Sequence, residues 1–152
     1  MDLYPDFREF LKLLGEEGVE YLVGGGYAVT LHGYPRYTGD LDIWIHATPE
    51  NARRMLRVLQ RFGAGGVGLR EEDFLDPAIE VLKMGREPIR IDMMTRLKGL
   101  EFPAAFAARE THEIGGVPVH FLNLADLRKA KHAANRPKDK DDLLHLPKPR
   151  RK

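Results

Sequence analysis

Apolar residues recur along the first part of the chain at two different intervals, and the interval changes from one segment to the next. A spacing of three and four predicts amphipathic helices over residues 5–14 and 49–62, the second beginning at Pro49. Between them, the apolar run 21–23 ends in three glycines and leads into a helix-forming segment. This pattern predicts a strand, a tight turn and a short helix. A glycine-rich loop is predicted over 63–68.

Alternation of polar and aliphatic residues over 40–46 has the period of a half-buried strand. Two further β-type runs, 79–84 and 89–94, are joined by a segment rich in glycine and proline, and they predict a hairpin. A second hairpin is predicted over 111–122. Pro118 in its returning strand predicts that this strand lies at an edge of the sheet, because proline cannot donate a hydrogen bond to a neighbouring strand.

Two helices are predicted near the C-terminus, because Asn123 is typical of an N-cap and Pro137 of a first helical position. The helices and strands together predict an α/β (α+β) chain with one domain over 1–146. Within it, the helices over 123–146 form an appendage. The basic residues of 147–152 are interrupted by prolines, and we expect them to form a flexible tail.

Composition excludes several classes of protein. A chain of 152 residues is long enough for one hydrophobic core. Its formal charge is only +1, with 24 Lys and Arg against 23 Asp and Glu, so no global field attracts it to nucleic acid or to a membrane. The sequence contains no cysteine, which excludes disulfides, thiolate metal sites and cysteine nucleophiles. Without a secretory leader or a membrane-spanning run, we expect a cytoplasmic protein without a membrane partner.

Asp40 and Asp42 are the first candidates for chemistry. They lie two residues apart on a predicted strand. Their carboxylates therefore leave the same face, with Cα atoms about 6.5 Å apart. Hard cations such as Mg²⁺ take oxygen ligands and usually keep water and substrate phosphates in their remaining positions. Two aspartates on an open strand face can provide such a site.

A third carboxylate, Asp92, repeats this design on a second predicted strand, where Ile89, Ile91 and Met93 occupy the opposite face. If the two strands are neighbours, all three carboxylates converge on one side of the sheet. Their mutual repulsion would raise carboxylate pKa values unless cations neutralise it. The alternative interpretation is a strand side that simply faces solvent, as antiparallel sheets often have.

Residues that could bind phosphate lie upstream of the aspartate pair. Gly24, Gly25 and Gly26 lead directly into a helix, where a bare backbone with free N–H groups suits a phosphate. Arg36 and Thr38 follow. Arg36 offers a guanidinium whose paired N–H donors match a phosphate, and Thr38 offers a hydroxyl donor. The alternatives are an ordinary strand–helix turn for the glycines and loop-stabilising roles for the other two residues.

Lys131 lies on the same helical stripe as Leu124 and Leu127, so its ammonium is placed on the face that packs against the rest of the chain. Two interpretations remain open. The side chain either reaches a nucleotide triphosphate or extends harmlessly along the apolar surface.

Taken together, these residues resemble the signature of the nucleotidyltransferase superfamily related to DNA polymerase β. The signature consists of Gly25-Gly26, thirteen residues, Asp40-Leu41-Asp42 and a later Asp92. The sequence is still more similar to small prokaryotic nucleotidyltransferase-like proteins, including toxin-type members of abortive-infection and toxin–antitoxin systems. The motifs shared with this group are Gly25-Gly26-Tyr27-Ala28, His32-Gly33, Arg36, Thr38, Asp40-Leu41-Asp42, Lys131, Arg136, Lys138-Asp139 and Asp142-Leu143.

The resemblance implies a nucleotidyltransferase-like mixed β-sheet with helices packed on one face and a short C-terminal helical extension. It also implies transfer of a nucleoside monophosphate from an NTP such as ATP to an acceptor hydroxyl, with release of pyrophosphate. Two Mg²⁺ ions, or Mn²⁺, would be held by Asp40 and Asp42, and Asp92 would hold the ion on the acceptor side and assist deprotonation. The residues implied to bind the nucleotide are Gly24, Gly25, Gly26, Arg36, Thr38 and Lys131.

The acceptor is left open by the sequence as an RNA end, a protein side chain or a small molecule, and a cognate partner protein is a further expectation. Two other functions remain as alternatives. One is a non-catalytic nucleotidyltransferase-like binding module of a toxin–antitoxin or similar system. The other is a structural or RNA-binding domain whose carboxylates face water.

Overall fold

The computed structural model describes residues 1–63, 68–86 and 89–149. Most of the predicted glycine-rich loop, the centre of the first predicted hairpin turn and the end of the predicted tail lie outside these residues. The helices are α1 (Pro5–Glu16), α2 (Gly25–Leu31), α3 (Pro49–Arg61), α4 (Phe102–Ala107), α5 (Leu124–Ala134) and α6 (Pro137–His145). The strands are β1 (Tyr21–Val23), β2 (Asp40–Ile45), β3 (Val81–Arg86), β4 (Ile89–Met94), β5 (Glu110–Ile114) and β6 (Val117–Phe121).

The six strands form one mixed sheet in the order β3-β4-β2-β1-β6-β5. The central strands β2 and β4 are parallel, as are β1 and β6, whereas the other neighbours are antiparallel. This architecture confirms the predicted mixed α/β fold. Among the described residues, no helix combines the length and the apolar character needed to span a bilayer.

Capping side chains explain why two helices begin where the sequence predicts. The Thr48 hydroxyl accepts a hydrogen bond from the Asn51 backbone N–H at 3.2 Å at the start of α3. The Asn123 side chain accepts one from the Asp126 N–H at 2.7 Å at the start of α5. The helix predicted over 5–14 extends two residues further, because α1 continues to Glu16. The chain then reverses at Gly18, where φ is +70°. Glycine is favoured there because a Cβ strains this left-handed conformation.

The prediction that Pro118 marks an edge strand is wrong. Strand β6 lies between β1 and β5, and β5 is the edge. Within the described residues, the register between β1 and β6 consists of Val23 opposite Phe121, three positions beyond the proline. Pro118 therefore lies outside the stretch of β6 that pairs with β1, and the sheet tolerates its missing N–H there.

Alternation along β2 separates the two faces of the sheet. Leu41, Ile43 and Ile45 are completely buried in the hydrophobic core, which also includes Phe10 of α1 and Met55 of α3. The intervening side chains of β2 point to the opposite face because successive residues of a strand alternate. That face carries the aspartates and is the one on which the candidate site is built.

Candidate functional site

Three carboxylates lie on one face of the sheet at the pairing of β2 with β4. These strands are parallel, with Asp42 directly opposite Asp92 and Asp40 opposite Arg90. Paired residues of neighbouring strands project to the same side, so Asp40, Asp42 and Asp92 share a face, as the alternation predicts. Their chemical roles remain predictions.

The carboxylates line a cavity of about 430 Å³. Gly24 and Gly25 border it at the end of β1, and α5 and the start of α6 enclose it from above the sheet. Trp44, the single tryptophan of the sequence, continues the floor beyond Asp42. Its ring meets Phe102 of α4 edge-on at 5.0 Å between centroids. Charged side chains of α5, of α6 and of the turn between them border the cavity, namely Lys131, Arg136, Lys138 and Asp139.

Glycine is required where α2 begins, because the backbone passes directly over an aspartate. A Cβ on Gly25 would lie 1.8 Å from Asp42 Oδ2, and Gly25 has φ +57°. A Cβ on Gly26 would lie 2.7 Å from the Thr38 side chain. The Gly24 N–H donates to the Asp42 carbonyl at 3.0 Å, which fixes the turn against β2. The glycine run therefore brings bare backbone close to the carboxylates.

Arg90 joins two of the three carboxylates, a contact that the sequence analysis missed. Its Nε donates to Asp92 Oδ1 at 2.6 Å, and its Nη2 donates to Asp92 Oδ2 at 3.0 Å and to Asp40 Oδ2 at 3.3 Å. The signal available in the sequence was the position of Arg90, two residues before Asp92 and therefore on the same strand face. The guanidinium neutralises part of the negative charge of the cluster.

Two features of the Asp40, Asp42 and Asp92 cluster suit a divalent cation, and one does not. The ligands are hard carboxylate oxygens, which Mg²⁺ prefers. Among the described residues, Asp40 Oδ1 is a buried acceptor for which no hydrogen-bond donor is present. As the side chains of the described residues stand, however, no three acidic or histidine groups converge closely enough to hold an ion. An ion that also took Asp40 Oδ2 would replace the contact of this oxygen with Arg90, so such a fit depends on a movement of that arginine.

Asp42 has the most perturbed carboxyl group of the cavity. The pKa of Asp42 is raised from its ordinary 3.8 to about 6, mainly by burial and also by the neighbouring charges of Asp92 and Asp40, whereas Lys138 and Lys131 oppose this rise. The folded state therefore holds the Asp42 proton more tightly than the unfolded state does. As a result, the free energy of unfolding falls as the pH rises from about 4 through 6.

Replacing Asp42 with Asn is therefore expected to stabilise the ligand-free protein at pH 8. The gain in the free energy of unfolding is about 1–3 kcal/mol, from a pKa rise of about two units. It should disappear below about pH 4, where the wild-type carboxyl is protonated in both states. Urea unfolding at pH 8 and pH 4 measures this difference, with Asp2→Asn at an exposed carboxylate as the control. Equal stability of the Asp42 variant and the wild type at pH 8 would contradict the expectation.

Two residues predicted to contact phosphate are instead engaged with buried carboxylates. Arg36 donates to both oxygens of Asp142 at 2.9 and 3.0 Å. The Lys131 ammonium, on a residue only 5% exposed, lies 3.2 Å from Asp139 and 2.9 Å from Asp142, each 1% exposed. Thr38 donates to the Asp40 carbonyl at 3.2 Å. Nucleotide contacts for these three residues remain predictions.

This ion-pair network links the segment before β2 to α5 and α6. Burial raises the pKa of Asp142, but hydrogen bonds from Lys131 and Arg36 hold it below its ordinary value. Burial likewise raises the pKa of Asp139, and hydrogen bonds from Arg136 together with the charge of Lys131 more than offset this effect. Both carboxylates are therefore ionised at neutral pH, and their partners stabilise the position of the C-terminal helices.

The sheet order and the helices that cover it define a nucleotidyltransferase fold. A solved structure of a nucleotidyltransferase candidate from Thermotoga maritima matches with a TM-score of 0.59 at 17% identity, covering 91% of this chain and 88% of that one. An antigenic nucleotidyltransferase-like protein from Paracoccidioides brasiliensis matches with a TM-score of 0.52 at 16% identity, covering 94% of this chain and 76% of that one. At these identities, the likeness establishes the fold.

The family follows from the sequence as a whole. Residues 4–149 match the family described as nucleotidyl transferase of unknown function (DUF2204), and the chain belongs to this family. A comparison with curated proteins gives no match.

Proposed function

We propose that this protein transfers a nucleoside monophosphate from an NTP to an acceptor hydroxyl and releases pyrophosphate. The observation that supports this most directly is the parallel register of β2 and β4, which sets Asp42 beside Asp92 with Asp40 on the same face. The absence of a side chain at Gly25 lets the backbone of the glycine turn lie against the Asp42 carboxylate, beside the proposed phosphate position. Membership of a nucleotidyl transferase family supports the reaction class.

In this reaction, the acceptor oxygen forms a bond to the α-phosphorus, and the bond from that phosphorus to the bridging oxygen breaks. Pyrophosphate leaves with the bonding electron pair, and the hydroxyl proton passes to a base. Asp92 is the proposed base, because it lies on the same face as the aspartate pair but on a separate strand. Gly24 and Gly25 are the proposed backbone contacts of the phosphates.

Asp40 and Asp42 are proposed to hold two Mg²⁺ ions, with Asp92 a ligand on the acceptor side. When bound, such ions neutralise the phosphates and lower the pKa of the acceptor hydroxyl. Arg90 then keeps its contacts with Asp92 and gives up the longer contact with Asp40, which is 3.3 Å in this structure. The arginine would thereby hold the Asp92 carboxylate in a fixed orientation.

Addition of NTP with Mg²⁺ is expected to raise the melting temperature of the wild type by several degrees. A ligand at about a hundred times its Kd stabilises the folded state by about 2.7 kcal/mol. Asp40→Asn should abolish the shift because it removes a proposed ion ligand, whereas Asp6→Asn, at an exposed position in the first turn of α1, should retain it. Differential scanning fluorimetry with each of the four NTPs measures the effect. An unchanged wild-type melting curve with all four would refute nucleotide binding.

A second candidate function is a non-catalytic nucleotidyltransferase-like module that binds a partner, as in a toxin–antitoxin system. The favouring observation is Arg90, which already neutralises Asp40 and Asp92 and could stand permanently in place of a cation. Incubation with NTPs labelled at the α-phosphate, in the presence of cellular RNA and protein, separates the two functions. Transfer of label supports the enzyme, and nucleotide binding without transfer to any acceptor supports the module.

A further inference from the structure

The cations that border the carboxylate cavity differ in whether they already have an anionic partner. Lys131 contacts Asp139 and Asp142, Arg136 contacts Asp139, and Arg90 contacts two of the site aspartates. Lys138 also borders the cavity, and within the described part of the chain it forms no ion pair. Its charge is therefore available to a ligand.

The backbone on both sides of Lys138 is held in place by buried ion pairs. Lys138 is the second residue of α6, directly before Asp139. The Arg136 N–H and Nε both donate to Asp139 Oδ2, at 3.1 and 2.7 Å, and Lys131 approaches the same carboxylate from α5. Since Asp139 is 1% exposed, the start of α6 is anchored, and the backbone of Lys138 is held at the border of the cavity.

Lys138 borders the same cavity as Asp42 and the glycine turn Gly24–Gly25. The other cavity lysine without an ion pair in the described residues, Lys83, lies on β3 opposite Asp92, toward the edge of the sheet. Lys138 is thus the unpaired cation on the side of Asp42 and the glycine turn, where the phosphates are proposed to lie.

We propose that Lys138 binds the pyrophosphate portion of the nucleotide and that Lys131 serves as the internal support of α6. This inference rests on the proposed function. A triphosphate adds several negative charges to a cavity that already contains three carboxylates, so an unpaired side-chain cation strengthens its binding beyond what the proposed ions provide. Recruiting Lys131 instead would leave Asp139 and Asp142 without a cation that they contact inside the fold, which is unfavourable for buried charges.

Magnesium pyrophosphate is the best probe, because it tests the phosphate contact without depending on the base preference. Lys138→Ala is expected to weaken binding of pyrophosphate and of NTP by about ten- to a hundredfold, the usual effect of losing a charge-assisted hydrogen bond. Binding of the corresponding nucleoside monophosphate should change little. Lys138→Arg should restore most of the affinity. Lys140→Ala is the matched control, since Lys140 is an exposed lysine of the same helix that does not border the cavity.

Calorimetric titration of the wild type and these variants distinguishes the outcomes. Because Lys138 is exposed, Lys138→Ala should keep the wild-type melting temperature, and a weakened affinity then reports the phosphate contact. Equal pyrophosphate affinity in Lys138→Ala and wild type, or a loss seen in Lys83→Ala instead, would overturn the inference and leave the proposed function standing. A wild type that binds neither pyrophosphate nor any NTP would overturn both.

Discussion

Asp92→Asn is expected to reduce the rate of label transfer from an α-labelled NTP by about a hundred- to ten-thousandfold, while the affinity for the NTP changes by less than about threefold. The reason is that Asp92 lies on a different strand from the other two aspartates. Asp40 and Asp42 lie on β2, and Asp42 contacts the glycine turn, whereas Asp92 comes from β4. An amide at position 92 cannot take the hydroxyl proton, yet it leaves the proposed triphosphate contacts in place.

Single-turnover transfer and equilibrium binding should be measured on the same preparation of Asp92→Asn. Glu113→Gln, at an exposed carboxylate of the edge strand β5, is the control and should behave as wild type in both measurements. Full transfer by Asp92→Asn would exclude Asp92 as the base. Loss of NTP affinity to the same extent as transfer would show that Asp92 belongs to the nucleotide contacts.

Lys131→Met is expected to lower the free energy of unfolding by about 3 kcal/mol at pH 7, the lower end of the range for breaking a buried ion pair. Methionine fills the space of the lysine stem but leaves Asp139 with Arg136 and Asp142 with Arg36 as their remaining partners. Lys129→Met, at an exposed position of the same helix, should have little effect. Urea unfolding provides the measurement.

The pH dependence of Lys131→Met provides a second check. The pKa values of Asp139 and Asp142 are lowered in the folded state, so their ion pairs stabilise the protein above the ordinary carboxyl pKa of 3.8. This contribution is lost as the pH falls through the lowered values. The difference in stability between wild type and Lys131→Met should therefore narrow near pH 3, and a difference that stays constant down to that pH would indicate lost packing instead.

Local patterns in the sequence predicted much of the fold. Alternation alone assigns the aspartates to one face of their strands, and the capping residues Thr48 and Asn123 mark helix starts that the structure confirms. The helix α4 was not predicted, since it spans only six residues and gives too short a pattern for periodicity. The first strand of the central hairpin begins at Val81, two residues later than the alternation indicates.

Contacts between distant segments could not be predicted. Arg36 and Asp142 are 106 positions apart, so nothing in the neighbourhood of either residue indicates their pairing. Lys131 was recognised as a lysine on an apolar face, but whether it meets a ligand or an internal carboxylate depends on where α6 packs. The spacing of Arg90 and Asp92 along β4 indicates that they share a strand face, but the contact of Arg90 with Asp40 arises only through the parallel pairing of β2 with β4.

Trp44 has a practical consequence for work in solution. This indole is 3% exposed, lies two residues beyond Asp42 on the floor of the cavity, and is the sole tryptophan of the chain, so all tryptophan emission comes from this one position. Titrations of ions, pyrophosphate or nucleotides can therefore be followed by ultraviolet fluorescence on the unmodified protein, without an attached dye. Acceptors can be screened by the same measurement, because a molecule that binds beside the aspartates changes the environment of Trp44.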